Sequence, residues 1–188
     1  MSVTLVGSRV VPDCISTLAF HVGLKLEDNM FSGAAFGMDD TWEQAYIRAG
    51  RKNKMNIILP EYNFEGRTVD NVNYFCIQDR EMYPQDLIDE ADQMIRELHA
   101  FYDKLTGFAY WAHIRNCFQV LGHDLMSPSS ECFLYAPMNG LHVKGGTNTA
   151  FKLCKRHGIP TYNLAVLHEA DALRKRFGIK PVSLSFLM

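Results

Sequence analysis

Twice in the first third of this chain an apolar, strand-like run gives way to a glycine turn and then to a helix-periodic stretch. That order leaves few folds open. Val3-Thr-Leu-Val6 ends in Gly7-Ser8-Arg9, and Pro12 opens a helix to about Leu26. Proline suits a first helical turn, where its missing N–H costs nothing. Ile15, Leu18, Ala19, Val22 and Leu26 make one apolar face. Asn29-Met-Phe-Ser32 is short and extended, followed by Gly33-Ala-Ala-Phe-Gly37, Asp39, Asp40 and a helix from about Thr41 to Ala49. Met55–Leu59 is the next strand, closed by Pro60. Such β-α-β-α-β alternation predicts a parallel sheet with helices on both faces.

A third glycine turn comes late. Glu131–Pro137 reads as a buried strand, and Lys144-Gly145-Gly146-Thr147-Asn148-Thr149-Ala150 follows. Ala150, Leu153, Cys154 and His157 then fall at helical spacing, with Gly158 and Pro160 as stops. A strand over Ile159–Leu164, a helix over 166–177 and an edge strand in Pro181–Leu187 complete the expectation. Ligands of open parallel sheets lie at the carboxyl ends of strands, so all three glycine turns should open toward one edge. A glycine turn running into a helix presents free N–H groups and a positive dipole end to an anion.

Between these halves the pattern changes. Residues 61–79 mix aromatic and polar side chains and predict a long ordered loop. Two helices follow, Pro84 to about Lys104 and Phe108 to Leu121, so an insertion spans about 61–128. Their aromatic residues suggest an oligomer surface. The chain's 188 residues suffice for one full core, which argues a single domain over 1–188. A net charge of −2 gives no global electrostatic case for nucleic acid. Cys14, Cys76, Cys117, Cys132 and Cys154 are odd in number and scattered, without CxxC spacing. They read as free thiols of a reducing compartment. No HExxH spacing occurs, and His168 and Glu169 are adjacent rather than one turn apart, so neither metal nor cofactor is expected. No signal segment or membrane-length run is evident, and the expected location is cytoplasmic.

The glycine loops themselves carry a resemblance. Gly7-Ser8-Arg9 with Pro12, then Ser32-Gly33-Ala34, Gly37-Met38-Asp39, Glu43 and Ala45, resemble the DNA-processing protein A (DprA) family. That family shares the Rossmann-like fold called SLOG with the Lonely guy (LOG) family, and Gly145-Gly146-Thr147 with Thr149-Ala150 fits its third loop. The stretch Ala112–Gly122 is similar to small DprA-like proteins often found in phages. The resemblance implies a Rossmann-like, doubly wound, mainly parallel α/β sheet carrying an inserted helical pair. It also implies a pocket for a phosphate-bearing nucleotide or nucleotide derivative. Ser8 and Arg9 would contact phosphate or ribose. Gly33 to Gly37 would cradle a phosphate, and Asp39 would hold ribose or cap its helix. Gly145, Gly146, Thr147, Asn148 and Thr149 would close the anion site.

LOG-type enzymes hydrolyse the base–sugar bond of nucleoside monophosphates with a glutamate that follows this third loop. Here that position is Lys152, and lysine cannot act as a carboxylate base. The expectation is therefore a nucleotide-derivative binder, acting as sensor or sequestering protein. A nucleotide N-glycosidase using Asp39 or Glu43 is the first alternative, and a DprA-like single-stranded DNA binder the second. Asp40 and Glu43 have capping-box spacing, which favours a structural role for Glu43. Arg115 and Asn116 are candidates to meet phosphate, with an interhelix ion pair as Arg115's other role. His113 is expected on a helix surface. Trp42 is expected in the core, with base stacking as its alternative.

Overall fold

A computed structural model describes residues 1–180, so the expected edge strand at Pro181–Leu187 lies outside the described residues. Among the described residues, eight strands and six α-helices follow the alternation. They are β1 Ser2–Gly7, α1 Asp13–Gly23, β2 Asn29–Ser32, α2 Met38–Arg48, β3 Met55–Leu59, β4 Tyr74–Cys76, α3 Gln85–Leu98 and α4 Gly107–Leu121. Then come β5 Glu131–Tyr135, β6 Met138–Asn139, β7 His142–Val143, α5 Thr147–Arg156, β8 Thr161–Asn163 and α6 Leu167–Arg176. Six strands form one parallel sheet in the order β4-β3-β2-β1-β5-β8. The fold is α/β and Rossmann-like, with helices on both faces.

Strand alternation decides which face each side chain serves. From β1, Val3 and Leu5 join a core with Leu18 and Val22 of α1, Trp42 and Tyr46 of α2, and Leu173 of α6. Val6 turns to the other core, shared with Ile88 and Ile95 of α3, Phe118 of α4 and Leu153 of α5. In the first of these cores Trp42 is fully buried, which fits its core role and removes it as a stacking platform. Thr4, on the same face as Val6, satisfies its buried hydroxyl on the Gln119 carbonyl at 2.8 Å and Ser129 Oγ at 2.9 Å. Of the two helices in the middle stretch, α4 lies on the sheet as the return crossover to β5. The other, α3, packs on α4 and α5.

Three expectations are corrected. The loop over 61–79 contains the short edge strand β4, paired in register Ile57↔Tyr74 to Leu59↔Cys76. Asp70 prepares it by accepting N–H bonds from Val72, Asn73 and Tyr74. The chain from β5 to the third glycine turn makes a small antiparallel hairpin, β6 with β7, around Gly140-Leu141. Helix α2 starts at Met38, so Asp40 and Glu43 lie inside it and form no capping box. Glu43 instead takes the Arg67 guanidinium at 3.1 Å and the Tyr74 hydroxyl at 2.8 Å, while Arg67 also reaches Asp40 at 2.6 Å. These bonds pin the long segment to α2. Among the described residues no helix is long and apolar enough to cross a membrane.

Candidate functional site

The strand order reverses at β1. The chain runs outward through β2, β3 and β4, then returns to lay β5 on the other side. The carboxyl ends of β1 and β5 therefore diverge into opposite crossovers, and a crevice opens between them, as doubly wound sheets require. A cleft of about 530 Å³ occupies that place, within the range of roughly 300–1,000 Å³ usual for small-molecule sites. Gly7, Ser8 and Arg9 leave β1 along one wall, and Lys144 to Thr147 form another. Helix α4 supplies the long wall with Phe108, Ala112, Arg115, Asn116 and Gln119, a single stripe at helical spacing.

The first two loops are joined beneath this cleft. The Asp39 carboxylate accepts the Gly7 N–H at 2.9 Å and the Ala35 N–H at 3.4 Å. Met38 N–H donates to the Ser8 carbonyl at 3.1 Å. Two of the amides that a glycine cradle would offer an anion are thus held by the protein's own carboxylate. Of the stretch Gly33 to Gly37, only Ala35 lines the cleft. Ser32, Gly33, Ala34 and Gly37 lie behind the wall. Gly33 has a packing reason to lack a side chain: a Cβ there would lie 1.8 Å from Arg115 Nη1 and 2.4 Å from Gln119 Nε2.

The third loop behaves differently. Gly145, Gly146 and Thr147 line the cleft, and their own N–H groups meet no acceptor among the described residues. They open α5, whose dipole adds to their positive character. Asn116 fixes the loop by donating to the Gly146 carbonyl at 3.1 Å. Asn148 and Thr149 sit behind, where the Thr149 hydroxyl shares a 2.7 Å hydrogen bond with His113 Nδ1. Lys152 points away and donates to the Leu98 carbonyl at 2.8 Å.

Arg115 is buried, its Nη1 donating to the Gly33 carbonyl at 2.7 Å and standing 3.9 Å from Asp39. That contact joins α4 to α2, the interhelix ion pair expected as its other role. Its Nε, with both amide atoms of Gln119 and the hydroxyl of Ser32, is buried without a partner. Buried polar atoms left so cost free energy, and they gather where one cleft wall meets the sheet. Burial pushes the Asp39 carboxyl up to about 6, against the pull of Arg115 and the two N–H donors. His113 is not the surface residue expected from its position. It lines the cleft, and burial, His99 and Arg115 hold it down at about 4. Glu43 is buried away from the cleft, which leaves Asp39 as the one carboxylate on its wall among the described residues.

These two shifts act on stability with opposite sign. Below its usual value near 6.5, unfolded His113 gains a proton that the folded ring refuses until about pH 4, so acid destabilises the fold through it. Folded Asp39 holds a proton between about pH 4 and 6 that the unfolded carboxyl has released, so acid stabilises the fold through it. The two offset each other over this window. The variant His113→Asn should therefore gain stability relative to wild type as pH falls from 6.5 to 4, read by urea unfolding at stepped pH. Parallel curves for the two proteins would refute the assignment.

Sequence reasoning missed His113, Gln119, Phe64, Phe108 and Lys144 as wall residues. Four of the five were legible only from the stripe of α4 that opposes its apolar face, or from knowing where residue 64 lands. Compared with protein-family models, with curated proteins and with solved structures, the chain gives no significant match.

Proposed function

We propose that the protein binds a phosphate-bearing, nucleotide-derived small molecule, as a sensor or sequestering protein of the SLOG type that its glycine loops resemble. The observation that carries this reading is the free N–H row of Gly145, Gly146 and Thr147 at the start of α5, facing a cleft with Arg9, Lys144 and Arg115 in its walls. Among the described residues three cations and one carboxylate, Asp39, line the cleft, and main-chain donors face them. A phosphate satisfies both kinds of group at once. Binding is favoured over hydrolysis because Asp39 is already engaged by Gly7 and Ala35, and because Lys152, which takes the place of the LOG-type glutamate in the resemblance, is no carboxylate and turns away to the Leu98 carbonyl.

Thermal shift with a panel of nucleoside 5′-monophosphates tests this. The wild-type protein should be stabilised by at least one of them. Arg9→Ala and Thr147→Val should each weaken that ligand roughly tenfold or more, the scale of one charge-assisted hydrogen bond, without lowering the melting temperature of the free protein. An unaltered shift in both variants, or no shift for any monophosphate in wild type, would end the reading. Chromatography of the same mixtures should show no free base, and its release would establish the glycosidase instead.

A further inference from the structure

We propose that Phe64 and Phe108 form a subsite for a planar heterocycle, so that the ligand of this cleft carries a flat ring as well as an anion. The inference rests on the anion site proposed above, but on different residues. With Trp42 sealed in the core, these two are the phenyl rings of the cleft wall among the described residues, beside the His113 imidazole. They stack with centroids 5.5 Å apart and planes 28° from parallel, and Phe108 is 41% exposed. A large ring so exposed at the start of a helix has an open π-face to offer.

The surroundings favour a clamp rather than filler. Phe64 lies between Asn63 and Glu65, which hold φ of 59° and 50° without being glycine. Left-handed backbone at ordinary residues costs energy and concentrates at ligand clamps. Arg9 ties the turn to the first loop, its guanidinium 3.6 Å from the Glu65 carboxylate and 5.9 Å from the Phe64 ring centre. The same arginine thus stands beside Phe64 and lines the cleft that holds the proposed anion site.

Spacing along α4 completes the case. Phe108 and Asn116, the latter bonded to the Gly146 carbonyl, are eight residues apart, about 12 Å along a helix axis. Ala112 lies between them on the same stripe and keeps the wall low. That arrangement leaves room for a sugar between ring and anion. Stacking accepts any π-face, so the subsite requires a flat ring without choosing among bases.

Calorimetry with the four nucleoside 5′-monophosphates, their nucleosides and ribose 5-phosphate tests this on the full chain. Wild type should bind at least one monophosphate about tenfold or more tighter than ribose 5-phosphate, the scale of one base stacked on an aromatic ring. Phe108→Ala should lose that advantage and keep the ribose 5-phosphate affinity. Phe108→Trp should restore it, and its added tryptophan emission should be quenched by the monophosphate but not by ribose 5-phosphate. Equal losses for both ligands in Phe108→Ala, or no loss for either, would overturn the subsite while leaving the anion site standing. If nucleosides bind wild type but neither phosphate ligand binds better, the anion reading fails and the ring subsite survives. Binding of none of them removes both.

Discussion

Asp39→Ala is expected to lower folding stability by about 3–5 kcal/mol, the cost of leaving a buried ion partnerless. Arg115 is buried with Asp39 as its nearest carboxylate at 3.9 Å, and removal of that charge leaves the guanidinium with only the Gly33 carbonyl. The same change strips the Gly7 and Ala35 N–H groups of their acceptor. Asp39→Asn keeps an acceptor oxygen and should cost visibly less. Urea unfolding at pH 7.5, above the raised Asp39 value of about 6, is the measurement. A cost under about 1 kcal/mol for the alanine variant, less than one ordinary buried hydrogen-bond partner, would mean that Asp39 does not join the first two loops.

Gly37→Ala should be comparably damaging for a different reason. Its φ is 97°, a conformation that L side chains rarely adopt. A Cβ would also lie 2.4 Å from the Arg9 carbonyl oxygen and 2.8 Å from its Cα, and neither atom belongs to a side chain that can swing aside. Backbone strain of about 1–3 kcal/mol and overpacking of about 1–3 kcal/mol add to roughly 2–6 kcal/mol. Gly50→Ala is the control, because Gly50 has φ of 72° but open space around it. Only the strain part should appear there. Equal unfolding midpoints for the two variants would show that the first and second loops are not in contact.

The sheet was legible because periodicity is local. The alternation in Val3–Val6, the stripe of α1 and the apolar Met55–Leu59 each follow from side chains a few positions apart, and the parallel α/β class follows from their order. What escaped were elements whose cause is distant. The strand β4 has three residues and stands only because β3 offers an edge and Glu43 of α2 holds Tyr74 and Arg67. The hairpin β6–β7 did leave a local mark, Gly140 with φ of 61° at the first position of its two-residue loop, where hairpin turns favour glycine. Glu43 looked like half of a capping box because its partner Arg67, 24 residues on, cannot be read from spacing.

The cleft divides in the same way. Gly145, Gly146, Thr147 and Arg9 could be named from their loops, since a glycine turn before a helix exposes amides wherever it occurs. That Ala35 and Gly7 N–H groups are taken by Asp39 could not, because the rivalry between carboxylate and ligand is settled in three dimensions. His113 illustrates the limit most sharply. Its position on α4 gave a surface residue, yet Thr149 and His99 close over it.

Isothermal calorimetry of the wild-type protein with a nucleoside 5′-monophosphate and with its unphosphorylated nucleoside tests the account most directly. The monophosphate should bind one per chain, at least tenfold tighter than the nucleoside, and should weaken as salt is raised from 50 to 500 mM on the order expected of a screened anion contact. Equal affinity for the two, or binding that salt leaves untouched, would contradict an anion held by the amides of Gly145 to Thr147.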